Sequence, residues 1–193
     1  MKYNYMSTTL TWNMKHRSTT DRLDQKLERW KRSRPDIDFS SLEMGTRVLR
    51  AAHFLQERLD RVAAAYGLSH RGDLETLTEL DLVGPLTPSA LAEDLLLTSG
   101  GMTVRLNRLQ AAGLVERRPN PRDGRGVLIH LTPAGKELAE DALASLLRAQ
   151  SEIVGLLEPS ERSDLTRLLR TLLTGLGDAP PFSPTITVRR EER

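Results

Sequence analysis

The sequence predicts a mainly α-helical fold with one small β-hairpin. Three observations carry this. The first is composition: 38% of residues are apolar but only 4% aromatic. A core must then be built from Leu, Val and Ala, and a chain rich in Leu, Ala, Arg and Glu favours helices. The second is an apolar spacing of three and four residues along most of the chain. The third is one stretch that departs from it, RPNPRDGRGVLIHLTPAG at 118–135. There, turn formers give way to a strand-like run.

The elements follow from local signals. Over 21–33, Leu23, Leu27 and Trp30 fall at i, i+4 and i+7, one stripe on a short charged helix that Pro35 stops. Ser40 and Glu43 predict a capping box with Ser40 as N-cap. It opens a helix whose seam is Val48, Ala52, Leu55, Leu59, Val62 and Tyr66, ended by Gly67. A further short helix is expected over 69–84, carrying Leu74, Leu77, Leu80 and Leu82. Thr87 and Pro88 are an N-cap and N1 pair for a helix through Leu97, which buries Leu91, Ala92 and Leu95. A tight break is expected at Thr98-Ser99-Gly100-Gly101, then a helix from Met102 closed by Gly113. LVERR and VLIHL are the two strands, with the turn between them. Thr132 and Pro133 repeat the cap signature and open a long helix to about Leu157. Pro159 opens the last helix, with Leu165, Leu168, Leu169, Leu172, Leu173 and Leu176 on one side.

The 193 residues suit one domain with flanking elements. The expected division is a disordered extension at 1–20, dimerisation helices at 21–66, a central domain at 67–136, further dimerisation helices at 137–176, and a disordered tail at 177–193. That tail holds Pro180, Pro181 and Pro184.

Several function classes are disfavoured. There is no cysteine, so disulfide frameworks and thiol chemistry are out. His16, His53, His70 and His130 lack metal-ligand spacing, so no metal is expected. Neither a nucleophile elbow nor a phosphate loop is present, so neither catalysis nor a cofactor is expected. No apolar run suits a membrane span and no signal-peptide pattern is seen, which fits a cytoplasmic protein. Net charge is only +2, but residues 98–126 hold six arginines against Glu116 and Asp123. A local basic block on a near-neutral chain is a footprint of polyanion contact.

Two short helices joined by a turn and followed by a basic hairpin predict a winged helix-turn-helix, which lays its second helix in a DNA major groove. At about 100° per residue, Met102, Leu106 and Leu109 cluster inward, while Val104, Asn107, Arg108 and Ala111 face out. Ser99, Thr103, Val104, Asn107 and Arg108 are the expected major-groove residues. Thr98 and Ser99 also stand where backbone N–H groups meet phosphate. In the turn, Arg125 is expected to enter a minor groove, steadied by Asp123 and accompanied by Arg122.

The stretch LTPSALAEDLLLTSGGMTVRLNRLQAAGLVERRPNPRDGRGVLIHLTPAGKEL resembles the core of the MarR family of bacterial transcription factors. The likeness covers roughly residues 22–176. It is specific over 87–135, where Asp123, Arg125 and Gly126 followed by Val127 to Gly135 match the wing pattern. The resemblance implies a homodimer knitted by its first and last helices. It further implies a pseudo-palindromic double-stranded DNA operator and, usually, repression relieved by a small effector. An activator, or a protein-interaction dimer without an effector, is the alternative. One branch of the family responds to urate and pairs an aromatic residue with charged ones. The candidates here are Trp30, Asp73, Arg105 and Arg117, with Asp73 sensing charge or holding Arg105 in place. Each has a plainer reading: Trp30 as core packing, Asp73 as a helix-dipole partner, Arg105 as a phosphate contact, Arg117 as a solvated strand residue.

Overall fold

The computed structural model describes residues 20–121 and 123–178. Among them the helices are α1 (Arg22–Ser33), α2 (Ser40–Ala65), α3 (Arg71–Val83), α4 (Pro88–Asp94) and α5 (Ser99–Ala111). The strands β1 (Val115–Asn120) and β2 (Asp123–Leu131) follow, then α6 (Pro133–Val154) and α7 (Pro159–Gly175). This is the order the sequence predicts. The segments expected to be disordered at 1–19 and 179–193, and Arg122 itself, lie outside the described residues. The chain divides into two compact units, one up to Phe54 and one from Leu55 onward.

In the first unit, α1 is capped by Asp21, whose carboxylate accepts from the N–H groups of Leu23 and Asp24. Asp24 reaches back to the Asp21 N–H at 2.6 Å, which completes a capping box. Arg47 on α2 gathers Asp21, Asp24 and Glu43 at 2.9, 2.5 and 2.7 Å. Burial pushes the Asp21 carboxyl up, but these hydrogen bonds outweigh it and hold it below the usual carboxylate range. Leu23 and Leu27 are buried.

The capping box expected at Ser40 is not formed. Ser40 is already helical, and its N–H and hydroxyl both donate to Asp38. Glu43 is taken by Arg47 instead. Asp38 takes the Ser40 N–H that Glu43 would have taken, and the Glu43 N–H that the serine would have capped donates to the Phe39 carbonyl at 2.8 Å.

The second unit holds the main core. Leu77 and Leu80 of α3, Leu91 and Ala92 of α4, and Met102, Leu106 and Leu109 of α5 are buried together with Val115, Ile129 and Ala139. Fully burying one leucine contributes about 2 kcal/mol. A smaller cluster joins Ala63, Leu74 and Ala142. The α2 seam is thus only half-buried, and its one buried residue is an alanine beside that seam.

Two boundaries differ from expectation, and both bear on the site. α4 ends at Asp94, not Leu97, because Leu96 turns to φ +51° and the Leu97 N–H closes back on the Ala92 carbonyl at 2.7 Å. α5 then begins at Ser99, with Thr98 Oγ1 accepting from the Gly101 N–H at 3.1 Å. The break therefore falls at 95–98, and Gly100 and Gly101 lie inside the first turn of α5. The cap overrides the poor helix propensity of two glycines.

β1 and β2 pair antiparallel from Val115↔Leu131 to Pro119↔Val127, with an irregularity before Asn120↔Asp123. The Ile129 N–H donates to the Leu86 carbonyl at 2.8 Å, which anchors the hairpin base to the segment before α4. Thr132 caps α6: its hydroxyl accepts from the Gly135 N–H at 3.0 Å and donates to the Gly113 carbonyl at 2.7 Å. Gly135 is required by this closeness, since a Cβ there would run into the Leu114 carbonyl. α6 stops at Val154, short of the expected Leu157. The five leucines of α7 and Leu176 at its C-cap are all exposed, by 38 to 74%. Among the described residues, no helix is long and apolar enough to cross a membrane, and no group of side chains could hold a metal ion.

Candidate nucleic-acid interface

The site is built on α5. Its inner face, Met102, Leu106 and Leu109, is no more than 1% exposed, so the helix cannot roll without tearing the core. The outer face is thereby fixed. Thr98, Ser99, Thr103 and Asn107 are exposed, and Val104 is 62% exposed with no apolar partner required of it. The Thr103 hydroxyl donates to the Ser99 carbonyl at 2.8 Å, which leaves its lone pairs outward. These residues stand where the helical wheel places them.

Arg108 does not. Its Nε and one Nη donate to the two carboxylate oxygens of Asp73 at 2.7 and 2.5 Å. Asp73 is buried near the start of α3, while the Arg108 side chain is 37% exposed. The Asp73 hydrogen bonds raise the Arg108 pKa above its ordinary value. The pairing expected between Asp73 and Arg105 is therefore corrected: Asp73 holds Arg108. A wheel gives the direction of Cα–Cβ, and an arginine stem is long enough to turn back from it.

Arg105 lies over Gly72, where an added Cβ would meet the guanidinium carbon at 2.5 Å. Its Nη1 is 3.3 Å from the Thr76 hydroxyl. Burial pulls its pKa down, while Glu75 and Asp73 push it up. Arg105 lines a cleft of about 320 Å3 between α3 and α5, with Arg71, Gly72, Glu75, Val104 and Arg108 also in its walls. Sequence reasoning missed Arg71 and Glu75. Their i,i+4 spacing at a helix start was the available signal, and Arg71 Nε does stand 3.5 Å from Glu75.

Arg117, grouped with Arg105 on the sequence, is not in the cleft walls. From β1 it donates to Oε1 of Gln110 and to Oδ1 of Asn107, the latter at 2.9 Å. Gln110 was not anticipated, although Asn107 and Gln110 sit three apart on one helical face. Trp30 belongs to the first unit, where its ring lies 6.0 Å from Phe39 and 4.9 Å below the Lys26 ammonium. Asp123 and Arg125 lie on β2 at the turn end of the hairpin.

Three helices, a left-handed turn before the exposed one, and a hairpin packed beside it define a winged helix-turn-helix. A family model described as MarR family matches residues 66–126. A MarR family transcriptional regulator of Streptomyces coelicolor, solved at near atomic resolution, is 30% identical. The match covers 73% of this chain and 98% of that one, with a TM-score of 0.63. A mutant MarR from Escherichia coli complexed with operator DNA is 27% identical, covering 70% and 97%, also at a TM-score of 0.63. The transcriptional regulator PecS of Dickeya dadantii is 28% identical over 74% of this chain and 87% of its own length. The chain belongs to the MarR family of transcriptional regulators.

Proposed function

We propose that this protein is a cytoplasmic DNA-binding repressor. It binds a pseudo-palindromic operator as a homodimer and is released by a small anionic, urate-like effector. The observation that carries the DNA reading is the fixed outer face of α5, small and polar, beside a basic hairpin. In this reading, residues 67–136 form the DNA-binding part and the flanking helices the dimer. Ser99, Thr103, Val104 and Asn107 enter the major groove, Thr98 and Ser99 meet phosphate, and Arg122, Asp123 and Arg125 serve the minor groove. Arg108 joins the base-reading set on leaving Asp73. The similarity to a protein crystallised on operator DNA supports the same reading.

The effector reading rests on the cleft. Arg105 and Arg71 present two guanidinium groups at its wall, with the Asp60 and Glu75 carboxylates beside Arg71; of the two, Arg105 is the one offered to a flat anion. Asp73 of α3 holds Arg108 of α5, which also lines that cleft, so the cleft and α5 share a residue.

The test is binding to DNA from upstream of the protein's own gene, at physiological salt with competitor DNA, with and without urate. Tight binding that falls steeply with salt is the expected result, and urate should weaken it. Indifference to urate would remove the effector reading alone. Absence of specific binding to any operator recovered by selection would remove the DNA reading. Arg125→Ala should weaken operator binding by about tenfold without loss of helicity; unchanged affinity would take Arg125 out of the interface.

A further inference from the structure

Arg117 reaches from β1 to the exposed face of α5. One of its terminal nitrogens donates to Gln110 Oε1 and the other to Asn107 Oδ1. A guanidinium has donors only. Each amide must therefore turn its oxygen toward Arg117 and its NH2 group away. An exposed Asn or Gln would otherwise take its orientation from whatever partner it met. Here the protein has chosen before any partner arrives.

We infer that Arg117 is a positioning residue for base reading: it holds Asn107 and Gln110 as hydrogen-bond donors, so that α5 selects guanine in the major groove. The inference rests on α5 occupying that groove, as proposed above. A free asparagine pairs bidentately with adenine, giving a donor to N7 and accepting from the N6 amino group. With Arg117 on its oxygen, Asn107 must share that acceptor with a charge-assisted bond. The guanidinium charge beside it also disfavours the amino groups of adenine and cytosine. Guanine offers the opposite pattern, with two adjacent acceptors, N7 and O6. The arginine thereby moves the preference of an asparagine from adenine to guanine without touching the base.

The experiment is selection from a random duplex pool with the full chain, followed by titration on single-position variants of the selected site. Wild type, Asn107→Ala, Arg117→Ala and Arg117→Lys are compared. Wild type should enrich guanine at one position of each half-site, and Asn107→Ala should lose about tenfold discrimination there. Arg117→Ala should shift that same position toward adenine, with unchanged thermal stability. Arg117→Lys, which can hold one amide oxygen, should restore part of the guanine preference. A uniform loss of affinity in Arg117→Ala with the same base preference would overturn the inference and leave Arg117 as a phosphate contact. An unchanged preference and affinity would also overturn it, with the major-groove reading intact. If wild type enriches no motif, the major-groove reading itself falls, and this inference with it.

Discussion

Asp73 and Arg108 form an unequal pair, because one partner is buried and the other reaches solvent. Deleting Arg108 strands a carboxylate in the interior, whereas deleting Asp73 lets the guanidinium swing into water. Arg108→Ala should therefore cost about 3 kcal/mol, and Asp73→Ala only about 1 kcal/mol; urea denaturation of both variants checks the order. Glu79 offers a second residue-scale test. Burial, with the Asp94 charge beside it, raises its carboxyl above the usual glutamate range. Ionised Glu79 thus opposes folding at neutral pH. On acidification the native state takes up this proton first, so the penalty fades as pH falls through the raised pKa. Glu79→Gln should raise the unfolding free energy at pH 7 by less than about 1 kcal/mol, because solvent screens the site, and the Tm should rise with it. The gain should vanish below the ordinary glutamate range. At this scale the sequence singled out candidates but not their contacts. Asp73, Arg105, Arg108, Asn107 and Arg117 all stood out as candidates. Their pairing depends on where long side chains end, and spacing along the chain does not encode that.

Among the elements, the helix-turn-helix turn carries the one non-glycine residue of the described chain with positive φ, Leu96. Its side chain is 81% exposed, so little burial is lost by removing it. Leu96→Gly should raise stability by about 0.5–1 kcal/mol, the left-handed penalty less the added unfolded-state entropy; thermal unfolding checks it. Element order was legible because caps such as Thr87, Thr98 and Thr132 are local signals. The ends were less so. A leucine run gives no sign that the chain reverses at Leu96, and two glycines read as a break although the Thr98 hydroxyl holds them inside a helix. Ser40 misled for a related reason: a better acceptor, Asp38, stood two residues away.

At the scale of the whole molecule, the exposed leucines of α7 need a partner. Such a row left open to solvent marks an interaction surface, and in the proposed function a second copy covers it. Sedimentation equilibrium should give twice the mass of the chain, and Leu169→Glu with Leu173→Glu should shift it toward the monomer. The same change should weaken operator binding sharply, because each half-site would then be held alone. Here the sequence was informative in a negative way. It showed more leucine in the last helix than one small winged domain can bury, but a monomer's own sequence carries no record of where a second copy sits.

The strand bridge at the hairpin base also bears on how the wing moves. Ile129 is fully buried, and its N–H is spent on Leu86, so one end of the ribbon is welded to the helical body. From there the ladder runs outward to Pro119↔Val127 and turns irregular before Asn120. The wing is thus clamped at its root. Hydrogen exchange should find the Ile129 amide opening only with the whole domain. Because Ile129 sits in the same core cluster as Met102, Leu106 and Leu109, the hairpin and α5 share one footing, and a load on either is passed to the other through the interior of the domain.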